Sequence, residues 1–103
     1  MSRREVKESP VGQGSNEQIA YILTTTPWGG SPSSESCSLY DMTKEPFLDV
    51  SATHLSGDAS SSGDTVTSPL VLNLEPGHLY RLNIQFTSNA NVREAFLMIE
   101  GEL

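Results

Sequence analysis

From Gln18 onward, apolar residues along the chain recur every second position rather than every third or fourth. A period of two is that of a half-buried strand, so the pattern predicts an all-β protein. Ile19, Tyr21 and Leu23 alternate with Gln18, Ala20 and Thr24 in a first strand that ends at Pro27. After the turn PWGGSP, Cys37 and Leu39 face one way and Ser36, Ser38 and Tyr40 the other, in a second strand closing near Asp41. Phe47 to Leu55 reads as a third strand with Leu48, Val50 and Ala52 inward, although Phe47 and Leu55 fall on the opposite parity.

Residues 56 to 64, SGDASSSGD, form a solvated connection with room for one short strand. Val66, Leu70, Leu72 and Leu74 share parity in the next strand. Pro69 interrupts it and supplies no ladder donor, which places the strand at a sheet edge or gives it a bulge. The clearest alternation follows, with Tyr80, Leu82, Ile84 and Phe86 inward and Arg81, Asn83, Gln85 and Thr87 outward. SNAN, residues 88 to 91, supplies hairpin turn chemistry, and Val92 to Glu100 returns as the last strand. Six clear strands and a doubtful seventh have the spacing of a single antiparallel β-sandwich.

The first 17 residues, MSRREVKESPVGQGSNE, do not share this rhythm. They are polar and contain Pro10, Gly12 and Gly14, a composition too poor in apolar surface to offset the entropy of ordering. Two segments are therefore expected, a flexible arm over 1–17 and a sandwich over 18–103. Any order in the arm requires a neighbouring chain or the domain's own sheet edge.

Composition narrows the functions. The 103 residues suit one domain, and the formal charge is −7. Arg3, Arg4 and Lys7 supply half of the basic residues, so the body from Ser9 onward sets Lys44, Arg81 and Arg93 against eleven acids. Such a body repels phosphate backbones, and nucleic acid is not expected as a partner. The basic arm is a possible contact for an acidic protein surface. Val92 to Glu100 is a candidate sheet edge, with Glu94 and Glu100 guarding it against uncontrolled pairing.

Cys37 is the only cysteine, which excludes an internal disulfide, a zinc cluster and a CxxC redox pair. It reads as a small core residue. No apolar run approaches membrane-spanning length, and the N-terminus lacks the apolar core of a signal peptide, so synthesis in the cytosol without membrane insertion is expected. His54 and His78 are the only histidines, no GxSxG surrounds a serine, and no HExxH, GxGxxG or GxxxxGK[ST] occurs. The reading is of a non-enzyme with no cofactor and no resident metal. Asp41, Asp49, Asp58 and Asp64 lack the density of a calcium loop and read as solvated loop acids.

The run Leu74-Glu75-Pro76-Gly77-His78-Leu79-Tyr80-Arg81-Leu82 carries the most specific signal. Pro76 fixes φ and Gly77 accepts positive φ, which makes a tight corner, and the aromatic three residues on opens an alternating strand. The run resembles the tyrosine corner of fibronectin type III and related immunoglobulin-like domains. That resemblance implies an immunoglobulin-like sandwich of about seven strands in which Leu74, Pro76, Gly77 and Tyr80 build the corner. It places Leu74 at the end of strand E, Tyr80 at the start of strand F, and Val92 to Glu100 in strand G. Trp28 precedes the second strand instead of occupying a core position, and Leu82 stands where antibody domains have their second cysteine.

A broader resemblance rests on overall plan: the arm, the Thr-Thr-Pro-Trp turn, DVSATHLSGDASSSGDTVTSP and the closing YRLNIQF. Together they are similar to small virion proteins encoded among tailed-phage head and tail genes. The implied function is an accessory virion component (capsid decoration, neck or fibre-associated) assembled in the host cytoplasm. It would act in several copies and dock on capsid or other virion proteins through Arg3, Arg4, Lys7 or an exposed edge. The alternative is a carbohydrate- or cell-surface-binding module anchored by Trp28, flanked by Gly29 and Gly30.

Overall fold

In the computed structural model, residues 11–26, 30–43, 46–88 and 90–102 are described. They form an all-β sandwich of short strands with one helical turn. In chain order these are β1 (Val11–Gly14), β2 (Ile22–Thr24), β3 (Ser33–Asp41), β4 (Leu48–Asp49), α1 (Ser51–His54), β5 (Leu55–Ser56), β6 (Ser60–Ser62), β7 (Thr65–Thr67), β8 (Leu70–Val71), β9 (Leu79–Ser88) and β10 (Asn91–Glu102). No helix among the described residues is long and apolar enough to cross a membrane.

One layer is a five-stranded sheet in the order β1-β10-β9-β3-β4, antiparallel except that β1 runs parallel to β10. The other layer holds the ladders β2-β7-β6 and β5-β8, joined by a bridge between Ile19 and Val71. Strict alternation drives the assembly. Along β9, Tyr80, Leu82, Ile84, Phe86 and Ser88 are buried while the residues between them are not. Leu39 of β3, Leu82 and Ile84 of β9, and Leu97 and Ile99 of β10 then form one core with Leu23, Val66 and Val71 of the opposite layer. Burying both inner faces against each other is the main stabilising term.

Within the expected arm, Val11–Gly14 forms β1 along β10 from Ile99 to Glu102, so the domain's own sheet edge holds this stretch. The reason is chemical as well as topological. Gln13 is fully buried: its Nε2 donates to the carbonyls of Val71 (2.7 Å) and Glu17 (3.1 Å), and its Oε1 accepts from the Tyr21 hydroxyl (2.7 Å). One polar side chain thereby ties the sheet edge to the opposite layer.

Two sequence expectations need correction. Phe47 to Leu55 is not one strand, because Asp49 Oδ1 accepts the N–H and the hydroxyl of Ser51 while Val50 O accepts the N–H groups of Thr53 and His54. These local bonds close a helical turn, leaving Leu48 and Ala52 exposed and turning Val50 and Leu55 to the core. The Val66-to-Leu74 stretch is not one strand but breaks at Ser68–Pro69 into β7 and β8, and of the two outcomes expected of Pro69, a sheet edge or a bulge, the bulge is found, with β7 lying between β2 and β6. The pairing runs Ile22 with Thr67 but Ile19 with Val71, one residue out of step. This is a bulge, and it moves Leu70 to the surface and Val71 to the core. The Ser68 hydroxyl accepts from Tyr21 N–H (2.9 Å) and donates to Pro69 O (2.7 Å), filling in where proline has no donor.

Candidate functional site

The corner expected at Leu74, Pro76, Gly77 and Tyr80 is present in atomic detail. Leu74 and Tyr80 are buried, Gly77 has φ +83°, and the Tyr80 hydroxyl accepts the Glu75 N–H at 2.9 Å. Burial and the nearby carboxylates of Asp41 and Glu75 push the Tyr80 phenol above its ordinary pKa, against the opposing hydrogen bond from Glu75 N–H. The corner is also stitched to β10, with Gly77 N–H donating to Gly101 O (3.0 Å) and Gly101 N–H to His78 O (2.9 Å).

On the outside of this corner three ionisable groups meet. His78 Nδ1 lies 2.8 Å from Asp41 Oδ2 and 3.4 Å from Glu75 Oε2. Their ligand atoms fall within 4.8 Å of one another, so among the described residues Asp41, Glu75 and His78 form a group that could hold a cation. Burial raises the Asp41 pKa, but hydrogen bonds from Thr43 and His78 outweigh it and hold the carboxyl below its usual range. No local pattern marks this trio, whose members lie up to 37 residues apart. A histidine oriented by a carboxylate is also part of a nucleophile triad, yet no hydroxyl or thiol is hydrogen-bonded to the His78 ring among the described residues. His54 bonds the Leu72 carbonyl through Nδ1 (3.2 Å) and lies edge-on to Tyr80.

The four aspartates expected in loops do not converge, and two of them end strands. Asp41 closes β3 and serves the corner, Asp49 closes β4 and accepts from Ser51, Asp58 lines the groove beside Cys37, and Asp64 accepts from Ser31 N–H (3.0 Å) and the Thr26 hydroxyl (3.2 Å). Asp64 therefore holds Thr26 and Ser31 together. Trp28 itself, and Arg3, Arg4 and Lys7, lie outside the described residues.

Surface features that sequence reading missed lie on the five-stranded sheet. On its outer face the Arg81 guanidinium sits 3.9 Å from the Phe96 ring centroid, beside Met98 and Tyr40 in register across β10, β9 and β3. At one margin, β1 pairs with β10 from Ile99 to Glu102, and among the described residues no strand pairs with the outer side of Val92 to Leu97. Residues 91 to 94 are all exposed, Val92 by 65%. At the other margin, β4 covers β3 only at Tyr40 and Asp41, and a groove of about 460 Å³ opens beside Cys37. Burial, aided by the Glu35 carboxylate, pushes the Cys37 thiol up to about 12, so it is a neutral group packed against the core. No protein-family model matches the chain, and no curated protein matches it either.

Proposed function

We propose that the protein is a non-catalytic immunoglobulin-like interaction module, in its most concrete form an accessory component of a tailed-phage virion. Strand order supports the immunoglobulin-like part: β10-β9-β3-β4 facing β2-β7-β6 matches a G-F-C-C′ sheet over B-E-D strands, with Tyr80 bonded across the corner before the F strand. Among the described residues no hydroxyl or thiol is hydrogen-bonded to either imidazole, which supports a binding role over nucleophilic catalysis.

The observation that carries the docking role is the exposed start of β10, residues 91 to 94, against which no described strand pairs on the side away from β9. A row of backbone donors and acceptors without a strand is a template for another chain, and Glu94 limits which chain can use it. Its partners are proteins of the particle, and its copies act together in the assembly. Mass spectrometry of purified virions tests the reading: the protein should copurify with particles in a fixed stoichiometry. Its absence from every particle fraction would overturn the proposal.

A further inference from the structure

The opposite margin of the same sheet carries a second, chemically different opening. Leu39 fixes its geometry, because its N–H donates to Ser51 Oγ (2.9 Å) and its C=O accepts from Val50 N–H (2.8 Å), both on the side away from β9. Backbone groups alternate sides along an antiparallel strand, so the N–H and C=O of Cys37 point to that same side. The chain that protects Leu39 has turned away into α1 by this level, and no described strand pairs with β3 there. Beside this open rung lies the groove of about 460 Å³, walled by β3 and the connection from α1 to β6.

The groove has an apolar side in Ala52, Leu55 and Ala59, and it carries two carboxylates, Glu35 and Asp58. Among the described residues no lysine or arginine lines it. The combination sets both the shape and the charge of an occupant. An extended segment can exchange main-chain hydrogen bonds with Cys37, set one small apolar side chain against Ala52 and Ala59, and bring flanking cations to Glu35 and Asp58. We propose that this groove binds an extended basic segment of a partner protein by strand addition to β3. The site is separate from the β10 margin, and its failure would leave the virion reading untouched.

The test uses the full chain and a capped synthetic heptapeptide alternating valine and arginine, followed by calorimetry and amide chemical shifts. Saturable one-to-one binding is expected, with the largest shifts at Cys37 and its neighbours. A Glu35→Gln, Asp58→Asn double variant should weaken binding roughly tenfold, the sum of two exposed ion pairs. A Glu17→Gln, Glu102→Gln variant removes the same charge at the opposite side of the sheet and should leave affinity unchanged. Equal weakening by both variants would show non-specific attraction to an acidic body and overturn the proposal. So would the absence of saturable binding, or self-association of the chain through this groove with no peptide bound.

Discussion

The Tyr80 hydroxyl accepts the backbone N–H of Glu75 at 2.9 Å, closing the corner through which the chain passes from one layer of the sandwich to the other. Tyr80 is fully buried, so water cannot replace the bond inside the core. Tyr80→Phe keeps the ring and removes the acceptor, which should destabilise the fold by about 1–3 kcal/mol without changing its topology. Urea unfolding of the two proteins measures the difference. A variant as stable as the parent would mean the bond contributes nothing net.

Gly101 stands where β10 meets that corner. A Cβ added there would run into the Glu75 carbonyl oxygen, a backbone atom that cannot swing aside. Gly101→Ala should cost more than about 2 kcal/mol, because the corner or the end of β10 must move. At Gly12 the added carbon meets only the exposed Glu102 side chain, so Gly12→Ala should stay within about 0.5 kcal/mol of the parent. Thermal melts of the pair separate a steric clash from a general intolerance of alanine.

Gln13 makes three hydrogen bonds in full burial and anchors β1. Gln13→Leu strips the Tyr21 hydroxyl of its acceptor and should cost about 2 kcal/mol. Burial, with the Glu17 carboxylate, pushes the Tyr21 phenol up to about 12, so it stays a neutral donor throughout the working pH range. Hydrogen exchange should show faster opening at Ile99 to Glu102, the stretch that β1 covers. Unchanged protection there would argue against the anchoring role.

Ala90 occupies the hairpin between β9 and β10 with φ +62°, in the left-handed region that costs an L-residue with a Cβ about 1 kcal/mol. Ala90→Gly should raise the melting temperature by relieving that cost, part of which the greater flexibility of unfolded glycine offsets. A fall in melting temperature would refute this account of the turn.

Asp41 sets the acid limit of the corner. Burial alone would raise its pKa, but the Thr43 and His78 hydrogen bonds prevail and lower it in the folded state. A carboxyl with a depressed folded pKa contributes stability above its unfolded value of about 3.9, lost as pH falls through the folded pKa. Asp49 behaves in the same way, held down by the Ser51 hydroxyl and N–H. Asp41→Asn should therefore flatten the loss of stability below about pH 4. Denaturation midpoints collected from pH 2.5 to 7 would show it, and an unaltered slope would exclude Asp41 as a source.

Where burial follows from strict alternation, the chain was readable residue by residue. Tyr80 to Phe86 and Ile19 to Leu23 have the faces their period of two assigns them, and the corner followed from Pro76, Gly77 and Tyr80 together. Alternation fails where a local bond competes with the ladder. Asp49 and Ser51 turned an expected strand into a helical turn, and Pro69 with Ser68 shifted parity so that Leu70, not Val71, faces solvent. Hydrophobicity alone does not register such bonds, because the same residues serve equally well in exposed strands.

Fold class, acidic body and corner were legible in the chain alone, since these depend on period, charge count and short-range backbone chemistry. The three-dimensional fold was needed to make Gln13 a core residue, to bring His78 to Asp41 and Glu75, and to leave Val92 and Cys37 at margins where no described strand pairs. Each of these joins residues far apart in the chain through register and strand order. A one-residue bulge or an extra strand changes that juxtaposition without leaving a mark on the local pattern.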